Sequence, residues 1–132
     1  MDGTVYMYSC EHPDRAPRII IRNKFSAQAL VWAKGVIAMA GHGTQIVFYD
    51  EDGAEEATFD NGAEHSDATF YEASCRNSTG EAIIFGTWDC LFVYGYNREN
   101  LQWEKSSINH VENMLSVTTL AWKQDGSMVS LG

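Results

Sequence analysis

Apolar and polar residues alternate with a period of two in short segments along most of the chain, and no segment shows a sustained helical period. The alternating segments are rich in aromatic and β-branched residues, which is typical of strands. Turn-forming pairs separate them, and Asp52-Gly53 and Asp125-Gly126 are of the kind that closes β-hairpins. The pattern predicts strands over residues 5–8, 18–22, 28–32, 36–40, 45–49, 55–59, 68–75, 81–85, 90–96, 101–107, 116–122 and 127–131.

The strands recur as a repeated unit. The segment 2–8 aligns with 43–49 and again with 89–94, at intervals of 41 and 46 residues. A second series supports this register, because Ala29-Leu30-Val31-Trp32 recurs as Leu120-Ala121-Trp122, with a degraded copy that ends at Cys75. A period of roughly 40–45 residues with several short strands in each unit is typical of the WD40-type β-propeller blade. The sequence therefore predicts an all-β fold of this type.

The predicted propeller is incomplete. Counting strands gives the second half of a blade over residues 1–25, complete blades over 26–61 and 62–109, and the first half of a blade over 110–132. Half blades leave backbone groups unpaired and apolar faces uncovered. We expect the remainder of a propeller to be needed to close the ring, and the isolated chain to aggregate or stay partly unfolded.

The charge balance excludes one class of partner. The formal net charge is −9, whereas nucleic-acid binding normally requires an excess of basic residues. The segment from Asp50 to Asp67 contains eight carboxylates and no lysine or arginine. This acidic segment is either a solvated pair of strands at the rim of the ring or a docking surface for a basic partner. A smaller basic cluster could attract acidic protein or lipid at a membrane periphery; it consists of Arg15, Arg18, Arg22 and Lys24.

The cysteines and the apolar runs point to an intracellular protein without a cofactor. Cys10, Cys75 and Cys90 form an odd set without a C-x-x-C pair, so neither a disulfide framework nor a metal site is predicted. No apolar run approaches the roughly 20 residues that span a bilayer. The first residues lack the basic and apolar regions of a secretory signal. We expect reduced thiols, no transmembrane segment and no metal or cofactor.

Two polar residues form a candidate structural pair within the second complete blade. His65 precedes its first predicted strand, and Asp89 lies in the turn before its third strand. WD40 repeats place a histidine and an aspartate in these two turns, where they form hydrogen bonds between an inner and an outer strand. A catalytic pair is the alternative. No serine, cysteine or metal partner lies at a diagnostic spacing, so no catalytic residue is predicted.

Three further residues are candidates for partner binding. Trp88 lies in a turn and is expected to point toward one mouth of the ring, where it either anchors a partner or caps the blade. Trp103 lies in an outer strand, and we expect it to face solvent in part. His42 lies in the first complete blade, in the turn that corresponds to the turn of Trp88 in the second complete blade. The other strand aromatics are explained by packing between blades.

The succession of these segments resembles the family of the largest WD40/TPR subunit of intraflagellar transport complex B. The resemblance is carried by segment 116–127 and by 86–94 followed by Trp103-Glu104. Upstream, residues 29–32, 37–41 and 46–49 continue it in the same order. The chain departs from the repeat consensus because it lacks a Trp-Asp strand ending; Tyr49-Asp50 replaces it once.

The resemblance implies a non-enzymatic scaffold of ciliary transport. Members of this family contact other complex B subunits through their propellers, and they act in the cytoplasm, the ciliary base and the cilium or flagellum. Cargo transport along ciliary microtubules and cilium assembly are the implied functions. An unrelated WD40 adaptor, such as a coat or ubiquitin-ligase subunit, and a propeller enzyme are the alternatives.

Overall fold

The computed structural model describes residues 3–22, 27–41, 43–62, 70, 72–75, 80–87, 90–110, 119–125 and 127–131. Within these ranges the chain forms twelve β-strands and no helix. The strands are β1 (Thr4–Met7), β2 (Arg18–Arg22), β3 (Ala27–Ala33), β4 (Val36–Gly41), β5 (Gln45–Asp50), β6 (Glu55–Asp60), β7 (Glu72–Cys75), β8 (Ala82–Gly86), β9 (Cys90–Asn97), β10 (Gln102–His110), β11 (Leu120–Trp122) and β12 (Val129–Leu131).

These strands form four antiparallel sheets in chain order. We call β1–β2 the leading half blade, β3–β6 the first complete blade, β7–β10 the second complete blade and β11–β12 the trailing half blade. In each complete blade every strand pairs with its neighbour in sequence. The prediction of a WD40-type propeller with two complete blades between two half blades is confirmed. The exact residue limits of the blades stay a prediction.

Local sequence determines the hairpins of the first complete blade. Lys34 and Gly35 both have positive φ, 45° and 72°, at the two-residue turn between β3 and β4. Such a turn matches the right-handed twist of the flanking strands. In the β5–β6 hairpin, the Asp50 carboxylate accepts hydrogen bonds from the backbone amides of Asp52 and Ala54, at 2.9 and 2.8 Å. The predicted Asp52-Gly53 turn is thereby held by its own side chain.

The main core lies between the two complete blades. Along β3 the side chains alternate, so Ala29, Val31 and Ala33 are buried whereas Leu30 and Trp32 are exposed. The buried residues join an apolar cluster that includes residues of both complete blades. A second, smaller cluster lies between the leading half blade and the other face of the first complete blade, and it consists of Ile21, Ile37, Met39, Val47 and Tyr49.

Aromatic rings dominate the main core. The fully buried Phe48 ring of β5 makes edge contacts with Phe59, Tyr94 and Trp103, at centroid distances of 5.5, 5.7 and 5.3 Å. Such tilted arrangements are favourable beyond the area that they bury. The aromatic side chain of Phe48 in β5 is therefore the one around which the outer strands of the two blades pack.

Candidate partner-binding surface

A polar network joins the two complete blades at the end where β6 terminates. Asn61 Nδ2 donates a hydrogen bond to the Tyr94 hydroxyl at 3.0 Å, and this hydroxyl in turn donates to Asn61 Oδ1 at 3.2 Å. Both residues are fully buried. Beside them, the Thr44 hydroxyl and the Gly62 amide donate to the Asp60 carboxylate. These bonds, with the Thr44 bond the largest cause, lower the pKa of Asp60 below its usual value.

An ion cluster joins the same blades at their opposite end. Lys34 and Arg98, from two different blades, both donate to the Glu81 carboxylate at distances of 2.9 and 2.8 Å. The Lys34 ammonium also lies 4.7 Å from the centre of the Tyr96 ring, within the range of a cation–π contact. The hydrogen bonds from Arg98 and then Lys34 lower the pKa of Glu81, and Glu81 raises the pKa of Arg98.

We define the turn-end surface by Lys34, Glu81, Arg98 and Leu101, which lie at or beside the β3–β4, β7–β8 and β9–β10 connections. Leu101 is 74% exposed and has a positive φ of 54°, so the turn presents an apolar side chain to solvent next to the ion cluster. An exposed leucine beside paired charges can supply apolar contact and orientation to a protein partner. The surface thus presents one apolar side chain beside an ion cluster, an arrangement that suits contact with a polypeptide.

A separate apolar cleft lies beside the leading half blade. Its volume is about 130 Å³, and its lining residues are Val5, Tyr6, Met7, Tyr8, Ile20, Leu30, Trp32 and Ile37. At its edge, Trp32 Nε1 donates a 2.8 Å hydrogen bond to Glu51 Oε1. The indole is nonetheless 51% exposed, so the hydrogen bond orients a ring whose apolar face stays open to solvent.

Trp103 differs from its predicted position. We expected it to face solvent in part, but it is only 5% exposed and packs between Phe48 and Tyr96. That expectation is wrong because the first complete blade covers this face of β10. Its buried Nε1 atom has no hydrogen-bond partner among the described residues. A role of Trp103 in partner binding stays a prediction.

The other candidates from the sequence lie outside the described residues. These are His42, Trp88 and the proposed hydrogen-bonding pair His65 and Asp89. The sequence did not predict the Asn61–Tyr94 pair, since Asn61-Gly62 has the composition of an ordinary turn and Tyr94 that of a core aromatic. No signal in the sequence marks Asn61 as buried, because its partner Tyr94 lies 33 residues further along the chain.

The described residues also bear on metal and membrane binding. Across the described ranges, no group of three histidine, cysteine or acidic side chains is arranged to hold a metal ion. Within the same part of the chain, no helix has the length and apolarity required to cross a bilayer.

The fold is shared with a solved structure. The crystal structure of the mitotic checkpoint complex contains a chain that matches 79% of this protein with a TM-score of 0.60 and 18% identity, over 33% of its own length. At this identity the likeness concerns the fold alone. No family model matches the sequence. The sheets, the interblade core and this likeness define the protein as part of a WD40-type β-propeller.

Sequence relatives identify the particular protein to which this part is similar. The intraflagellar transport protein 172 homolog of Danio rerio is 31% identical over 99% of the chain, and that of Homo sapiens is 29% identical over the same share. Intraflagellar transport protein 172 of Chlamydomonas reinhardtii is 30% identical over 73% of the chain. The chain is therefore homologous, over nearly its whole length, to a segment of the intraflagellar transport 172 proteins. It spans about 8% of the length of the two vertebrate relatives.

Proposed function

We propose that the chain is part of a non-catalytic scaffold subunit of intraflagellar transport complex B. The observation that carries this proposal is the identity of about 30% to proteins named for intraflagellar transport, which extends over 99% of the chain. In this role the protein supports cilium assembly and the movement of cargo along ciliary microtubules. It acts in the cytoplasm, at the ciliary base and in the cilium.

The partners in this proposal are other complex B subunits, and the turn-end surface is the site that receives them. Arg98 is 72% exposed although it pairs with Glu81, so its remaining donors are open to an acidic partner. The net charge of −9 argues against nucleic acid as the partner. The names of the relatives describe transport proteins, which supports a binding role without catalysis.

Purified complex B subunits test this proposal directly. The immobilised chain is expected to retain at least one of them. Leu101→Asp should weaken this binding about tenfold or more, because a charge would replace an apolar contact at the interface. Gln45→Ala is the matched control, since Gln45 is exposed at the opposite end of the first complete blade. Failure to retain any subunit would contradict the proposed function, whereas equal losses in both variants would contradict only the assigned surface.

A further inference from the structure

The last strand of the first complete blade has an open edge. The order of strands in this sheet is β3-β4-β5-β6, and no described strand lies beyond β6. β6 lies inside the chain and is the fourth strand of a complete blade, so its outer edge does not depend on the ends of the chain. The edge of a sheet presents backbone N–H and C=O groups that can pair with a further strand.

One backbone hydrogen bond shows which groups of β6 point outward. The amide of Asn61, the residue after β6, donates to the carbonyl oxygen of Thr44, the residue before β5, at 2.9 Å. The direction of the backbone groups alternates along an antiparallel strand. Phe59, two residues earlier, therefore also faces β5. The N–H and C=O groups of Thr58 and Asp60 point away from the blade.

The edge of β6 is less protected than the edges of β2 and β10, which hold the corresponding position in their sheets. β2 carries Arg18 and Arg22, and β10 carries Lys105 with an irregularity of register beside it. Basic side chains and bulges are devices that prevent pairing at an edge. β6 contains no basic residue, and its pairing with β5 is regular over residues 57–60. Its own residues leave this edge open to a further strand.

The charge of β6 favours one kind of strand over another. Glu55, Glu56 and Asp60 are exposed, and β6 lies in the acidic segment, which has no lysine or arginine. Like charges on opposed residues destabilise a pair of strands, whereas opposite charges stabilise it. Pairing of β6 with a second copy of itself would bring carboxylates together and is disfavoured. A strand that carries lysine or arginine is favoured, and the surplus of acid also speeds its approach.

We propose that the edge of β6 binds an extended basic segment of another polypeptide as a fifth strand of the first complete blade. The added strand exchanges backbone hydrogen bonds with Thr58 and Asp60. Proteins commonly recognise peptides by adding a strand to the edge of a sheet in this way. The proposal rests on the fold and not on the transport function, and it uses none of the residues of the turn-end surface.

The alternation of side chains along β6 gives the pattern of the bound segment. Glu56, Thr58 and Asp60 are exposed, whereas Ala57 and Phe59 are half-buried and pack against the main core. Side chains of the added strand alternate between the same two faces. Two basic residues four positions apart lie beside Glu56 and Asp60 in this arrangement. The residue beside Phe59 is apolar.

The Asp60 carboxylate is oriented for this contact. The Thr44 hydroxyl and the Gly62 amide both donate to its Oδ1 atom, at 2.7 and 2.9 Å, and Oδ2 takes part in neither bond. Lys105 contributes less to the lowered pKa of Asp60 than either hydrogen bond. An ionised carboxylate of fixed direction therefore lies at the outer edge of the blade, where a lysine or arginine of the added strand can reach it.

Peptides with methylated backbone nitrogens test the pairing. The parent peptide is Thr-Lys-Val-Thr-Val-Lys-Thr with blocked ends and a fluorophore, and fluorescence anisotropy measures its binding to the full-length protein. Only alternate amides of an added strand face its neighbour. One derivative is methylated at both lysines and the central threonine, and the other at both valines and the last threonine. One of the two should lose about tenfold or more in affinity, and the other less than about twofold. Equal affinities would overturn the proposal.

A matched pair of variants tests the same contact from the side of the protein. Thr58→Pro removes an outward N–H group and leaves the hydrogen bonds to β5 in place, because proline is tolerated where the N–H side of an edge strand faces solvent. Thr58→Val keeps this N–H group and, like the proline variant, loses the hydroxyl. Thr58→Pro should weaken binding of the parent peptide about tenfold or more, and Thr58→Val less than about twofold. Circular dichroism checks that both variants fold, and equal binding by the two would contradict the pairing.

Further measurements test the charge and the identity of the occupant. Glu56→Gln should raise the Kd of the parent peptide about two- to fivefold. Glu99→Gln changes an exposed carboxylate of the second complete blade and should leave the Kd unchanged. A peptide with glutamate in place of both lysines should bind more weakly by about tenfold or more, and equal binding would refute a basic partner. A dimer of the protein that Thr58→Pro converts to a monomer in light scattering would show that a second copy occupies the edge, and would also overturn the proposal.

Discussion

Asn61 and Tyr94 exchange hydrogen bonds across the boundary between the two complete blades, with both side chains fully buried. Asn61 directly follows the last strand of one blade, and Tyr94 lies in the third strand of the next. A buried polar group that loses its partner costs more free energy than the hydrogen bond itself contributes. The pair therefore strongly favours one arrangement of the two blades over others.

Tyr94→Phe tests this arrangement. It removes one hydroxyl group and leaves the amide of Asn61 buried without that partner. We expect the free energy of unfolding to fall by about 1–3 kcal/mol, measured by urea denaturation. Tyr96→Phe is the control, because its half-buried ring keeps its contact with Trp103, and it should cost less than about 0.5 kcal/mol. Equal losses in the two variants would show that the Asn61–Tyr94 pair has no special role.

Glu81 makes the stability of the contact between the blades depend on pH. Hydrogen bonds from Arg98 and Lys34 lower its pKa in the folded state. Its contribution to stability is therefore complete above the ordinary carboxyl pKa of about 4.3 and is lost as the pH falls through the lower folded-state pKa. Glu81→Gln removes the charge with little change of shape. The difference in stability between the wild type and this variant should be largest near neutral pH and should shrink in acid.

The control for this pH dependence is Glu99→Gln, which changes an exposed carboxylate in the turn that also contains Arg98. Asp60 and Glu104 also have lowered pKa values, so the wild type and both variants should share part of their loss of stability in acid. The difference between wild type and Glu81→Gln is therefore the informative quantity. A difference that stays constant between neutral pH and acid would rule out an ionic contribution from Glu81.

The strands could be predicted because their signals are local. The alternation around Ile19, Ile20 and Ile21 predicts a strand over residues 18–22, and β2 has those bounds. Turn residues similarly separate β3, β4, β5 and β6 close to the predicted positions. The repeat then supplies the fold class, because strands at a fixed period stack as blades. Neither step requires knowledge of which residues meet in space.

The candidate site could not be predicted in the same way, because its contacts join distant segments. Asn61 and Tyr94 are 33 residues apart, and Lys34 and Glu81 are 47 residues apart. Trp103 shows the same limit, since the polar residues that follow it suggest an exposed outer strand. Phe48 of the preceding blade covers it instead. The pattern along one strand does not reveal what the neighbouring blade places against it.

Phe48 is expected to be the most sensitive single position of the main core. Its ring is fully buried and contacts three other aromatic rings. Phe48→Ala should therefore lower the free energy of unfolding by about 3–5 kcal/mol, because it removes apolar contact and leaves a cavity. Leu101→Ala, at an exposed turn position, should cost less than about 0.5 kcal/mol. Thermal or urea denaturation followed by tryptophan fluorescence measures both, and a small effect at Phe48 would mean that the two blades do not pack as described.

Substitutions at two glycines with positive φ distinguish the cost of backbone strain from the cost of a steric overlap between blades. Gly35 has a φ of 72° with open space around an added Cβ atom, so Gly35→Ala should cost only the strain of about 1–2 kcal/mol. Gly53 has a φ of 89°, and an added Cβ atom would overlap the backbone carbonyl of Ile20 in β2. Gly53→Ala should therefore cost roughly 3 kcal/mol or more, since either the β5–β6 turn or the leading half blade must move. Similar losses of stability in the two variants would show that the leading half blade does not rest on this turn.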